Sequence, residues 1–212
     1  MTHKYPDTSM SYNSLLTLDG AREEFKQKNG DAAVKRMLEE IKTFEASDFF
    51  GVRLLHKHND INNNEIMFEY SHIDGDEIFL VTEATTNNNT KSTINSWLFE
   101  KGKAIPLEYS DTLIIEDANN FKESNQLLSS LARIANEMNV SHILGPCMNY
   151  SRYIYDRIPE SDSVFWEKTA LNKKANVIQC VSRENIDRNN STETKWALRK
   201  SSENDNELVV WI

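Results

Sequence analysis

Glycine is scarce in this chain: it occurs six times in 212 residues, where an average composition would give about fifteen. Glycine-rich loops allow a backbone to approach a phosphate group closely, so folds that depend on such loops are disfavoured. The sequence contains no dinucleotide-binding fingerprint, no phosphate-binding loop and no Gly-x-Ser-x-Gly elbow. It therefore argues against the Rossmann and P-loop classes of enzyme.

Cysteine is scarcer still. Cys147 and Cys180 are too few for a disulfide framework, so we expect two reduced, buried thiols. A catalytic role for Cys147 would need a base within hydrogen-bond reach, and His142 is the nearest candidate along the chain. A small buried thiol at the end of a strand is the favoured interpretation, and the reactivity of Cys147 is left open.

Basic residues and long apolar runs are also few. Lys and Arg number 24 against 33 Asp and Glu, which gives a formal net charge of −9. This balance disfavours nucleic acids and anionic membranes as partners and leaves a protein or a small-molecule ligand. The mean hydropathy is −0.61, and the N-terminus lacks the pattern of a signal peptide. We therefore expect a cytoplasmic protein without a membrane-spanning segment.

The sequence does contain a clear change of hydrophobic period. Three segments with helical periodicity are predicted to be helices: 20–28, 31–46 and 120–138. Residues 49–84 instead alternate apolar and polar side chains, and we expect a three-strand meander whose last two strands turn at Asp74-Gly75. Further strands are expected over 97–107, 112–117, 140–147, 176–183, 192–200 and 207–212, and further helices over 151–158 and 162–173.

These elements predict a single α+β domain over residues 18–212, preceded by a flexible segment over residues 1–17. The sheet is expected to be largely antiparallel and rich in meanders, and a curved or barrel-like sheet is compatible with the pattern. We expect it to pack against the N-terminal and central helices. No internal repeat and no Pro-, Gly- or Ser-rich linker divides the chain.

The sequence His56-Lys57-His58 has a spacing typical of a metal site. Side chains two residues apart on a strand point to the same face, so both imidazoles can bind one ion. The alternative is that the two histidines end a hydrophobic strand and hydrogen-bond to water or backbone. This alternative is favoured because two histidines alone are a weak pattern.

A third metal ligand follows from the expected hairpin register. A turn at Asp74-Gly75 pairs Ile66 with Glu83, and the meander places Ile66 beside the histidines. Glu83 would then share their face, roughly 10 Å away at the backbone, and His142 is another candidate from a later segment. If the histidine pair is a site, its ligands are therefore His56, His58 and Glu83, and its cofactor is a divalent transition metal.

Aromatic side chains give a second candidate site, formed by Tyr150, Tyr153, Tyr155 and Trp166. Tyr and Trp commonly anchor interfaces, although at helical spacing they are more often part of a core. Two functions are thus compatible with the sequence. The first is a cytosolic, non-catalytic binding protein with an acidic, aromatic-bearing surface. The alternative is a metal-dependent enzyme, of hydrolase or oxygenase type, built on the histidine pair, so whether the protein is an enzyme is uncertain.

The metal hypothesis predicts that the purified protein contains a stoichiometric divalent transition metal, because the imidazoles would supply two of its ligands. The double variant His56→Ala/His58→Ala would lose that metal. Elemental analysis of both proteins, purified in parallel, measures the difference. A wild-type protein without metal, or equal metal content in the two proteins, contradicts the hypothesis.

Overall fold

A computed structural model describes residues 8–75, 77–86, 92–115, 121–151, 154, 163–168, 175–182, 191–200 and 205–211. For residues 163–168, 179–182, 199–200 and 205–211 the description is of the backbone. Within these ranges the chain forms four helices and ten strands, and all ten strands belong to one sheet. The fold is therefore of the α+β class.

The elements have the following bounds. The helices are α1 (Ser9–Asn13), α2 (Leu18–Gln27), α3 (Gly30–Thr43) and α4 (Ser124–Glu137). The strands are β1 (Phe50–Leu54), β2 (Glu65–Asp74), β3 (Glu77–Thr86), β4 (Ser92–Glu100), β5 (Lys103–Asp111), β6 (Leu144–Met148), β7 (Ser163–Lys168), β8 (Ala175–Ser182), β9 (Glu193–Lys200) and β10 (Asp205–Trp211). None of the helices in the described ranges is long and apolar enough to cross a lipid bilayer.

The three helices with clear periodicity are present, but two other local predictions are wrong. Residues 163–168, expected within a helix, form β7, and residues 112–114, expected within a strand, form a turn. β7 is antiparallel to β8 along its whole length. Pairing with a neighbouring strand overrides a local helical pattern here, because strand formation depends on tertiary context. Residues 155–158 of the helix expected over 151–158 lie outside the described residues.

The sheet has the strand order β10-β9-β1-β6-β4-β5-β2-β3-β8-β7. The pairings are antiparallel except for β2 and β5, which are parallel. The hairpins β2–β3 and β4–β5 form as expected. The three-strand meander is wrong, because β1 pairs with β6 and β9 and is separated from β2 by three strands.

The register of the β2–β3 hairpin also differs from the prediction. Asp74 pairs with Glu77, so the connecting loop lies one residue later than a turn at Asp74-Gly75 would place it. Gly75 has a φ of +59°, a left-handed conformation that suits glycine. In consequence Phe68, and not Ile66, lies opposite Glu83.

One hydrophobic cluster joins α3 and α4 to the face of β1 that carries Val52 and Leu54. Its members include Met37, Ile41, Leu127, Leu131, Val52 and Leu54. Because side chains alternate along a strand, Gly51 and Arg53 lie on the other face of β1. The edge strands β7 and β10 approach within 8 Å, Cα to Cα, so the sheet curls and encloses the face that α3 and α4 do not cover.

The short helix α1 covers part of this enclosed face. Tyr12 is fully buried and belongs to a small apolar cluster that includes Leu15, Met67 and Leu98. The Asn13 side chain donates to the carbonyl oxygen of Ile61 and accepts from its N–H, both at 2.9 Å. Residues 8–17 thus make specific contacts, and a boundary between a flexible segment and the domain at residue 17 stays a prediction.

Gly145 on β6 offers a test of the close packing between the neighbouring strands β4 and β6. A Cβ at this position would lie 2.1 Å from the carbonyl oxygen of Trp97. Gly145→Ala is therefore expected to lower the free energy of unfolding by about 1–3 kcal/mol, measured by urea denaturation.

Gly20→Ala in α2 is the matched control, because its Cβ would meet no atom closer than 3.4 Å. Alanine favours the helix over glycine by about 0.5–1 kcal/mol, so this variant should be slightly stabilised. Equal effects of the two substitutions would contradict the packing described for β6.

Candidate functional site

A group of ionisable side chains is buried inside the curled sheet. We call Arg53, Glu69, Glu108, Cys147 and Lys195 the buried charged cluster; they lie on β1, β2, β5, β6 and β9, and none is more than 8% exposed. Charged side chains are almost never buried this deeply unless they are paired or have a functional role. The cluster is therefore the leading candidate for a functional site.

Strand register explains why these side chains meet. Arg53 lies opposite Lys195 on β9, and Cys147 lies opposite the β1 residue two positions before Arg53. Ser96 on β4 lies opposite both Cys147 and Glu108. Residues paired across strands, and residues two apart along one strand, project to the same face. All of them therefore project from the enclosed face of the sheet.

A bulge in β4 brings two consecutive residues to the cluster. The register between β4 and β5 shifts on both sides of Ser96. Asn95 Nδ2 donates to Glu69 Oε1 at 3.1 Å, and Ser96 Oγ donates to Glu108 Oε2 at 3.2 Å. A regular strand would point these two side chains to opposite faces, whereas a bulge can redirect one of them.

Arg53 and Glu108 form a direct buried ion pair. Burial by itself lowers the pKa of Arg53, but attraction to Glu108 and then to Glu69 outweighs this and raises the pKa. The Arg53 guanidinium is thus held in its charged form beside Glu108. Because each satisfies the other, the Arg53–Glu108 pair is neutral as a unit.

Glu69 has a different environment. Its carboxylate accepts hydrogen bonds from Asn95 and from Thr82 Oγ1, the latter at 3.3 Å. No Lys, Arg or His nitrogen of the described residues lies within ion-pair distance of it. Nearby, Asn95 Oδ1 and Ser110 Oγ are buried and have no hydrogen-bond partner among the described residues. Buried polar atoms without a partner are uncommon and often mark the place of a ligand or a water molecule.

Lys195 supplies the corresponding positive charge. Its Nζ donates to the carbonyl oxygen of Met148 at 2.7 Å and lies 3.6 Å from the centre of the Tyr150 ring. Burial lowers the pKa of Lys195, and attraction to Cys147 and Glu69 opposes this effect. Within the described part of the chain, no carboxylate is close enough to form an ion pair with this ammonium group.

Glu69 and Lys195 both project into the interior that the curled sheet encloses. In a flat sheet the five strand-to-strand steps from β9 to β2 would separate their backbones by about 24 Å. Lys195 nevertheless interacts electrostatically with Glu69. The curl of the sheet therefore brings together two opposite charges that do not form a direct ion pair.

The histidine pair lies beyond the end of β1. The rings of His56 and His58 are 4.7 Å apart between centroids. His56 Nδ1 donates to the carbonyl oxygen of Leu54 at 2.9 Å, which leaves its buried Nε2 without a hydrogen-bond partner in the described residues. Burial, followed by the nearby His58 and Arg53, lowers the pKa of His56 well below its usual range. His56 is thus neutral at physiological pH.

The structure does not bring Glu83 to the histidine pair. β3, which carries Glu83, is separated from β1 by β2, β5, β4 and β6. The other candidate, His142, contacts Glu24 at the surface. Among the described residues no group of three or more His, Cys, Asp or Glu side chains could hold a metal ion. A metal site at His56 and His58 stays a prediction, and the described residues supply no third ligand for it.

The predicted aromatic surface is only partly within the described residues. Tyr150 is 4% exposed and lies under Lys195, so it belongs to the interior. Tyr153 and Tyr155, and the side chain of Trp166 on β7, lie outside the described residues.

Cys147 is a free, fully buried thiol, and burial raises its pKa. This agrees with the prediction of a small buried thiol at this position.

The sequence did not predict four of the site residues: Arg53, Glu69, Glu108 and Lys195. Arg53, Glu69 and Glu108 each lie between apolar neighbours, and Trp196 follows Lys195. Such alternation is also what a strand with one face in water shows. The numbers of predicted helices and strands did indicate a second face of the sheet that needed explaining. Three periodic helices cannot cover both faces of a sheet with so many strands. The second face therefore had to be either open to water or enclosed by curvature.

The ion pair can be tested by a double-mutant cycle. Arg53→Met leaves the Glu108 carboxylate buried and unpaired, and should lower the free energy of unfolding by about 3–5 kcal/mol. The double variant Arg53→Met/Glu108→Met should recover most of that loss, because no uncompensated charge remains. Urea denaturation of the wild type, the two single variants Arg53→Met and Glu108→Met, and the double variant measures the coupling. Additive losses would contradict a direct buried pair.

Comparison with known proteins does not assign the cluster to a characterised site. No protein-family model matches the chain, and no curated protein and no solved structure matches it either. The function therefore has to be argued from the residues of the buried charged cluster and their surroundings.

Proposed function

We propose that this protein binds a small ligand that carries both a positive and a negative group, in the interior of its curled sheet. The observation that carries the proposal is the presence of two buried opposite charges, Glu69 and Lys195, that project from the same enclosed face of the sheet without forming an ion pair among the described residues. A ligand with a cationic and an anionic end would satisfy both charges at once. The proposal is a specific form of a small-ligand binding protein.

The energetic argument starts from the cost of burying charge. An isolated ion loses several kcal/mol or more of hydration when it enters a protein interior, unless an opposite charge or hydrogen bonds compensate. Arg53 and Glu108 compensate each other. Among the described residues, Glu69 accepts hydrogen bonds only from the neutral donors Asn95 and Thr82, and it shares the attraction of Arg53 with Glu108. Lys195 has a carbonyl oxygen and an aromatic ring. Both are therefore only partly compensated in the chain described.

The surroundings of the two charges also suit a small molecule. Met67, two residues before Glu69 on the same face, belongs to the apolar cluster that α1 closes. This arrangement places apolar side chains next to a few directed polar groups, which is the usual composition of small-ligand sites. A free thiol at Cys147 is in keeping with the proposed cytoplasmic location.

The proposal is tested with a panel of zwitterions: the L-amino acids and unbranched ω-amino acids of two to six carbons. A ligand present at a hundred times its Kd should raise Tm by roughly 5–10 °C for a chain of this size. Alkylamines and carboxylic acids of matching length, which carry only one of the two charges, should give much smaller shifts. Differential scanning fluorimetry gives the shifts, and calorimetric titration gives the affinities.

Variants separate the interior site from binding elsewhere. Glu69→Gln and Lys195→Met should each abolish the ligand-induced shift, because each removes one of the two charges. The controls Glu39→Gln and Lys103→Met change the same residue types at exposed positions and should leave the shift unchanged. The proposal fails if no zwitterion shifts Tm, or if the interior and exposed variants behave alike.

A further inference from the structure

We infer that the positive group of the ligand is a primary ammonium, bound by Glu69, Asn95 and Ser110. This inference rests on the proposed function and specifies its ligand class. It depends on the neighbourhood of Glu69, where three oxygen-bearing side chains from β2, β4 and β5 converge. Each of the three is at least 98% buried.

The orientation of Asn95 follows from its partner. A carboxylate only accepts hydrogen bonds, so the NH2 group of Asn95 must be the part of the amide that faces Glu69 Oε1. The amide oxygen, Oδ1, is then left as an acceptor, and it has no partner among the described residues. Because the amide group is planar and is held at one end by Glu69, this oxygen is fixed beside the carboxylate.

Ser110 provides the third oxygen. It lies directly opposite Glu69 in the parallel pairing of β5 with β2, so both side chains project from the same face. Ser110 is fully buried, and its Oγ has no partner in the described part of the chain. The enclosed face therefore offers a carboxylate oxygen, an amide oxygen and a hydroxyl oxygen on three adjacent strands.

These three acceptors fit a primary ammonium better than other cations. A primary ammonium has three N–H donors on one nitrogen, whereas a trimethylammonium group has none and is recognised mainly by aromatic rings. A water molecule could satisfy Asn95 and Ser110, but it would leave the charge of Glu69 only partly compensated. A ligand ammonium satisfies the two neutral oxygens and neutralises the carboxylate.

The test compares each zwitterion that binds with its N-methyl, N,N-dimethyl and N,N,N-trimethyl analogues. Each methyl group replaces one N–H donor while the positive charge is kept. Because a hydrogen bond to a charged group is lost at each step, affinity should fall on the order of tenfold or more per methyl group. Calorimetric titration of the wild-type protein measures the series without any substitution in the chain.

Variants of the chain give a second, independent measurement. Ser110→Ala removes one acceptor and should weaken binding of the primary ammonium on the order of tenfold, with little effect on the trimethyl analogue. Ser129→Ala, on the exposed face of α4, is the control and should bind all analogues as the wild type does. The methylation series keeps the inference falsifiable even if Ser110→Ala does not fold.

The possible outcomes separate this inference from the proposed function. A steep loss of affinity with methylation, together with a selective effect of Ser110→Ala, supports both. Equal affinity for the primary and the trimethyl ligand overturns the ammonium assignment and leaves zwitterion binding in place. No binding of any zwitterion overturns both, and the three oxygens would then hold an internal water molecule only.

Discussion

The interior of this protein is organised by the need to bury charge on the enclosed face of the sheet. Arg53 and Glu108 come from strands that are distant in sequence, and they meet only when β1, β6, β4 and β5 are aligned in the observed order. A shift of one residue in any of these pairings would turn a charged side chain toward the apolar face under α3 and α4. An apolar pair of equal volume is often as stable as a buried ion pair, so we expect the ion pair to contribute more to the uniqueness of the register than to net stability.

The other elements of the fold can be understood from this constraint. The helices cover the face of β1 that carries Val52 and Leu54, so the charged face has to be enclosed in another way. Curvature of the sheet supplies most of the enclosure, and α1, with Tyr12 at its centre, closes part of the remaining opening. The bulge at Asn95 then adds a side chain to the enclosed face that a regular strand would point away. Each departure from regular geometry thus serves the same interior.

The sequence predicted those features that depend on neighbours along the chain. The helical periods of α2, α3 and α4 and the hairpins β2–β3 and β4–β5 are local, and they were found. The position of β1 was not, because its partners β6 and β9 come from residues about 90 and 140 positions later, and local patterns contain no information on such pairings. The register of the β2–β3 hairpin was predicted wrongly for a related reason. Moving the loop by one residue changes the partner of Ile66 from Glu83 to Thr85, but both lie on the same face, so apolar alternation is equally satisfied.

The candidate site was hidden by the same ambiguity between water and an enclosed interior. Alternation identifies Arg53, Glu69 and Lys195 as a second face of their strands, and it does not say what that face contacts. Only the curl shows that these charges are inside. Within this interior, Arg53 forms an ion pair with Glu108, whereas Glu69 and Lys195 form none among the described residues, and this difference bears on function. A fold that needed charges only to fix its register would pair all of them, as it pairs Arg53 with Glu108. Glu69 and Lys195 form no ion pair within the described structure. A ligand with a cationic group and an anionic group is the simplest molecule that would satisfy both charges.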